Sequence, residues 1–260
     1  VLKGFLLAIQ FFTSLPVRRE IEMTNHTVRR MIGLLPLIGG LIGCVAACVI
    51  FTAEFAFAAS PLITAFLIWL IFIILTGGLH LDGWTDVSDA YFSYQDQGRR
   101  HEILKDPRVG AFGVLSMIVL LAAKFVLLLD LASKDQISIA WLIWIPVISR
   151  LMMAVSLTKA PLAKQEGMAY FLKSFLNGRV ILIAGAVSLI LLAVPLTFSP
   201  EQWPLLCILL AGAALFSVIS SVFFNRAFGG ISGDTLGASL EGGELWSLIL
   251  VWCYLSIVMG

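Results

Sequence analysis

The sequence predicts an all-α fold: a polytopic integral-membrane helical bundle of about seven transmembrane helices, with one further N-terminal helix that is interfacial or re-entrant. Three observations predict it. The 260-residue chain is 60% hydrophobic and only 13% charged, against about 25% charged residues in soluble domains. Its mean hydropathy is +0.99. Its lysines and arginines alternate in density between apolar runs of spanning length. A length of 260 residues holds six to eight spans of about 20 residues each, so residues 1–260 form a single membrane domain. A net charge of +1 provides no basic surface of the kind nucleic acid requires, and no nucleic-acid partner is expected.

Residues 2–17 are apolar with Lys3, Gln10 and Thr13 interspersed. Leu2, Phe5, Leu6, Ile9, Phe12 and Leu15 share one helical face, which suits a helix lying in the interface. No small-residue cleavage site follows, so this is not expected to be a cleaved leader. Hydropathy then places spans at 31–56, 61–79, 110–133, 137–157, 179–198, 202–227 and 245–259. The connections near Pro61, Asp135 and Pro200 are tight turns. Those at 80–109, 158–178 and 228–244 are long. Lys3, Arg18, Arg19, Arg29, Arg30, Arg99, Arg100, Lys105, Arg108, Lys159, Lys164, Lys173, Arg179 and Arg226 all fall in one alternate set of connections, and Lys134 alone in the other. The positive-inside rule puts the first set, with all three long loops, in the cytoplasm. Cys44, Cys48, Cys207 and Cys253 lie in spans and are expected to be small apolar packers, with no disulfide framework. Gly39 and Gly43 have the spacing of close helix packing, which permits a homo-oligomer without requiring one. No internal repeat of the transporter kind is visible.

The unusual chemistry lies in the long connections. In HLDGWTDVSDAY (80–91), Asp82, Asp86 and Asp89 are spaced i, i+4, i+7 and project from one helical face at roughly 0°, 40° and −20°. Their mutual repulsion calls for a cation between them or for one proton retained. An all-oxygen set suits a hard ion, Mg²⁺ with Mn²⁺ as the alternative; a solvated helix end is the plainer reading. Gly83 is expected to leave room for a ligand. GRRHEILKDPRVGAFG (98–113) is helical in pattern up to Asp106, with Glu102 and Asp106 at i, i+4 among Arg99, Arg100, Lys105 and Arg108. Metal-holding acids beside phosphate-clamping bases are the equipment of phosphoryl-group chemistry. GGISGDTLGASLEGGE (229–244) sets Gly233 and Asp234 in a glycine-rich loop whose N–H groups suit an anion. It is neither a Walker A loop nor a dinucleotide fingerprint. Within the spans, Arg150 either snorkels or reaches a substrate phosphate, and Lys124 either pairs with Asp130 or snorkels. Of the histidines, only His80, two residues from Asp82, is a candidate base.

TGGLHLDGWTDVSDA (76–90), RRHEILKDPRVGAFG (99–113), GGISGDTLGASLE (229–241) and FFTSLPV (11–17) together resemble the signature segments of the cobalamin synthase (adenosylcobinamide-GDP ribazoletransferase) family, in order and over the whole chain. One departure is KQEG (164–167), where the family pattern has a basic-x-x-Gly segment that usually carries Arg; Lys164 keeps the charge and loses the bidentate fork. The resemblance implies a Mg²⁺-dependent enzyme of a prokaryotic cytoplasmic (inner) membrane with its active site facing the cytoplasm. Its substrates are adenosylcobinamide-GDP and α-ribazole or α-ribazole 5′-phosphate; its products are adenosylcobalamin, or its 5′-phosphate, and GMP. Metal binding falls to Asp82, Asp86 and Asp89, with Glu102 and Asp106 in addition. Phosphate binding falls to Arg99, Arg100, Lys105, Arg108, Arg150, Lys164, Gly233 and Asp234. The base is Asp89 or Asp106, with His80 behind. The site chemistry is also similar to that of CDP-alcohol phosphotransferases, whose full motif is not present. The rival readings are another membrane phospho-alcohol or prenyl-diphosphate transferase, and an ion-coupled transporter.

Overall fold

The computed structural model describes residues 1–93 and 96–258. They form twelve α-helices: α1 Leu2–Phe12, α2 Asn25–Gly33, α3 Leu35–Phe57, α4 Pro61–Thr76, α5 Leu79–Phe92, α6 Gln97–Ile103, α7 Ala111–Ser133, α8 Ile139–Lys159, α9 Gly167–Ser174, α10 Arg179–Leu196, α11 Trp203–Phe228 and α12 Gly233–Val258. A short 3₁₀ turn, Pro200–Gln202, precedes α11. Among the described residues six helices are long and apolar enough to cross a membrane: α3, α7, α8, α10, α11 and α12. The bent pair α4 and α5 makes a seventh when taken as one broken span.

Local chemistry explains the main breaks. Thr24 and Thr27 form a reciprocal capping box that starts α2. Ser60 caps α4, with Pro61 in its first turn. Gly77 and Gly78, both at positive φ, then turn the chain by 88° into α5; a left-handed pair is cheap only for glycine.

α8 runs through the centre. Trp141, Trp144, Val147 and Ile148 are fully enclosed, and the indole of Trp144 donates to Leu192 O at 3.1 Å. α3 packs on α8 backbone to backbone. A Cβ on Gly39 would lie 2.2 Å from Pro146 O, and one on Gly43 2.6 Å from Leu142 O. The small-residue spacing of α3 is thus used within the chain.

The N-terminal apolar helix is present as α1; it buries Gly4, Leu7, Ala8 and Phe12 and leaves Leu2 and Leu15 exposed, and the missing side chain of Gly4 lets α2 approach at Arg30. Two expectations are corrected. Cys44, Cys48 and Cys207 are free thiols on the outside of the bundle. The segment 228–244 is helical from Gly233, and only residues 229–232 are a connection. Its last two glycines are packing positions: Gly242 faces the Phe216 and Trp84 rings, and Gly243 faces Met152.

Candidate active site

α5 departs from α4 with its acids on one face and its apolar side chains on the other. Leu81, Val87 and Ala90 are buried, Asp82 is exposed, and Asp86 and Asp89 are half-buried. The helical spacing of the three aspartates is as expected. The nearest neighbour of that face is the start of α12, which comes in at glycine distance. A Cβ on Gly83 would lie 2.6 Å from Asp234 O, and one on Gly237 would lie 3.1 Å from His80 O. Gly83 therefore admits α12, where room for a ligand was expected. The crossing sets Asp234 against the α5 cluster, so that Asp86 is faced by Asp82, Asp234 and Asp89 together. Ser232 Oγ donates to Asp234 at 3.2 Å.

The connection before α12 is fixed from behind. Ile231 N–H donates to Pro161 O at 2.8 Å and Ala163 N–H to Ile231 O at 2.9 Å. Gly230, at φ 141, passes so close that a Cβ would meet Pro161 O at 2.5 Å. This pairing ties the 160s connection to the head of α12, and Lys164 lies within electrostatic reach of Asp234. Gly233 is exposed at the first position of α12 with open space around it. A cleft of about 280 Å³ opens here, with Asp82, Gly233 and Asp234 at its polar end and Phe12, Leu157 and Leu172 at its apolar end.

Several predicted site residues are engaged elsewhere. Asp89 accepts a hydrogen bond from Gly113 N–H at 3.3 Å, the N3 position of α7, and Gly110 leaves the space its carboxylate occupies. It thus does the work of an N-cap. His80 is buried and stacked on the Phe12 ring, with centroids 6.5 Å apart. Arg99 pairs with Glu102 in the open. Lys105 pairs with Glu166 at 2.7 Å, which holds the Glu166 carboxyl below its usual range. Arg108 grips Asp106 with two bonds of 2.9 and 2.6 Å, pushing that carboxyl down to about 2. Arg100 donates to Ala227 O at 2.9 Å and lies over the Tyr91 ring. The acids and bases of 98–108 thus largely satisfy one another or the fold, and Glu102 and Asp106 do not join the α5 cluster. The helix of this segment also ends at Ile103, before Asp106. Among the described residues, no three His, Cys, Asp or Glu side chains are drawn together as a formed metal cage.

The intramembrane cations have partners that the sequence reading missed. Arg150, 2% exposed, pairs with Glu244. Lys124 bonds Glu241 at 2.5 Å and Glu244 at 3.0 Å. Asp130 is taken by Lys134 and the indole of Trp252, so neither snorkelling nor a Lys124–Asp130 pair applies. The four charges form a closed, neutral clamp among α7, α8 and α12. The available signal was parity, since two cations inside spans demand two anions at the same depth. Placing 228–244 in a loop hid Glu241 and Glu244.

A family model described as Cobalamin-5-phosphate synthase matches residues 4–252. A protein of Geobacillus kaustophilus (strain HTA426) named adenosylcobinamide-GDP ribazoletransferase is 40% identical over 260 residues, covering 99% of this chain and 98% of the relative. Proteins of the same name from Geobacillus sp. (strain WCH70) and Acinetobacter baumannii (strain ACICU) are 38% and 32% identical. They cover 98% and 96% of this chain, and 97% and 98% of the relatives. No solved structure matches.

Proposed function

The chain belongs to the cobalamin-5-phosphate synthase family, and from that premise we propose that it is a multi-pass membrane transferase that joins adenosylcobinamide-GDP to α-ribazole, or to α-ribazole 5′-phosphate, with release of GMP. The observation that carries the site is the backbone crossing at Gly83 and Asp234, which turns one helical face of acids into a two-helix constellation. In this reading a ribazole hydroxyl oxygen attacks the phosphorus bound to the cobinamide aminopropanol oxygen. The new P–O bond forms as the bond to the bridging oxygen of GMP breaks, and GMP departs with that electron pair. The hydroxyl proton passes to a carboxylate. Asp106 has both carboxylate oxygens held by Arg108; Asp89 gives one oxygen to Gly113 N–H and keeps the other to accept the proton, late in a loose transition state.

Asp82, Asp86 and Asp234 are partly open, all-oxygen donors that form no salt bridge with a described residue, a donor set that fits a hard divalent ion. Mg²⁺, or Mn²⁺, bound there supplies charge neutralisation for the diphosphate and the departing GMP. Lys164 and the N-terminal N–H groups of α12 at Gly233 and Asp234 suit the remaining phosphate oxygens. The apolar end of the cleft suits the benzimidazole-like base of the ribazole. The weighting of Lys and Arg toward one set of connections supports a cytoplasmic membrane with the site facing the cytoplasm.

The test is incubation of purified protein with adenosylcobinamide-GDP, α-ribazole and Mg²⁺, assaying GMP and the completed corrinoid together. Equimolar appearance of both is expected. Absence of GMP and of corrinoid product, with release of CMP or pyrophosphate when a CDP-alcohol or a prenyl diphosphate is supplied instead, would overturn the assignment. Gly83→Ala follows from the same geometry. Its Cβ must displace the head of α12, and a misplacement of about 1 Å is worth roughly 100-fold in rate. Turnover is expected to drop by about that factor while circular dichroism shows the helix content unchanged.

A further inference from the structure

We propose that the outer face between α5, α6 and α11 is a binding site for one anionic phospholipid, with its phosphate on Arg100 and Arg226 and one acyl chain along α11. A shallow groove of about 580 Å³ has both arginines at its head. Through Tyr91, Ile219 and Phe223 it continues into a second, apolar groove of about 480 Å³ walled by the rings of Trp84, Phe216 and Trp246. Phe216 lies ten residues along α11 from Arg226, roughly 15 Å at 1.5 Å per residue. That is about half of a 30 Å hydrocarbon core, the depth of one leaflet.

The charge at the head is available. Arg226 is exposed and its guanidinium makes no hydrogen bond or ion pair with any described residue. Arg100 has Nη1 on Ala227 O and its plane over Tyr91, and Nη2 has no partner among the described residues. A basic pocket between helices at the headgroup level is the chemistry that retains anionic lipids.

The groove is separate from the acidic cleft. Trp84, Val87 and Tyr91 lie on α5 at roughly 140–200° from Asp82, opposite the Asp82–Asp86–Asp89 face. A nucleotide diphosphate has no polar wall to meet below the arginines, because the lower groove is lined almost wholly by hydrocarbon. The occupant therefore has an anionic head and an apolar tail.

The experiment is native mass spectrometry of the full chain, purified in a zwitterionic detergent and titrated with phosphatidylglycerol or phosphatidylcholine. Retention of one phosphatidylglycerol is expected, at least tenfold tighter than phosphatidylcholine. Arg226→Gln is expected to weaken phosphatidylglycerol retention about fivefold, the worth of one basic residue at a membrane surface. Ile219→Trp, which fills the shared section of the groove, is expected to remove retention with both arginines in place. Equal retention of the two lipids, or unchanged retention in both variants, overturns the proposal. Displacement of the lipid by millimolar inorganic phosphate overturns it in favour of a free-anion site. Should Arg226→Gln elute as aggregate, the wild-type selectivity and the Ile219→Trp variant decide the matter alone.

Discussion

Asp82→Asn is expected to abolish ribazole transfer while leaving the bundle folded. Asp82 is exposed on α5 and its carboxylate makes no hydrogen bond or ion pair with a described residue, so the isosteric change removes no structural contact. It also relieves repulsion on Asp86, and thermal stability should hold or rise slightly. The function of the site depends on that charge, because a neutral amide cannot share in holding a divalent cation against a diphosphate. Loss of one such electrostatic group costs about 10²–10³ in kcat, and more where it also weakens metal binding. GMP release and corrinoid product should fall together, with the melting temperature held or slightly raised. Turnover near normal at saturating Mg²⁺ would remove Asp82 from the site. Asp106→Asn is the contrast: that carboxylate serves an exposed pair with Arg108, and pairs of this kind contribute little, so activity should stay within a few-fold of wild type.

The second large effect is on stability. Glu244 accepts from both Arg150 and Lys124 in the interior. Glu244→Ala leaves a guanidinium enclosed without its anion, and breaking a buried pair from one side costs about 3–5 kcal/mol. For a chain of this size that corresponds to a drop of roughly 10 °C in Tm, measured by thermal unfolding in detergent. The double variant Glu244→Leu with Arg150→Met removes both ends of that pair and leaves Lys124 with Glu241. It should recover most of the loss, since an apolar pair of similar volume often replaces a buried ion pair at little cost. Equal melting of the single and double variants would show that the defect lies in packing instead.

Much of this architecture was legible before the fold was known, for identifiable reasons. Span positions follow from hydropathy because lipid imposes one rule on every backbone, and α7, α8, α10 and α11 fall where the apolar runs predict. The shared face of Asp82, Asp86 and Asp89 follows from helical period alone. Motif resemblance in four segments led to the family that residues 4–252 match. What was not legible depends on contacts between distant helices. The approach of Asp234 to α5 required knowing that Gly83 faces the backbone at Asp234 and Gly237 the backbone at His80; in the sequence these glycines look like ligand clearance and loop. Glu241 and Glu244 lowered the hydropathy where α12 begins, so the last span was placed late and the partners of Lys124 and Arg150 were lost. In 98–108 the charge pattern was visible, but short-range pairing such as Arg108 with Asp106 absorbs much of it.

The clamp also has a history during synthesis. Arg150 and Glu244 are 94 residues apart in the chain, and Lys124 and Glu241 are 117 apart. At 5–20 residues per second, α7 and α8 are made roughly 5–20 s before their anions exist. For that interval two cations, each worth about 2.5–3.5 kcal/mol against insertion at a helix centre, must wait at the translocon or sink toward the headgroups. The arrival of α12 neutralises both and delivers Asp234 in the same movement. Completion of the membrane fold and completion of the acidic cleft are therefore one event, and a nascent chain interrupted before α12 holds neither.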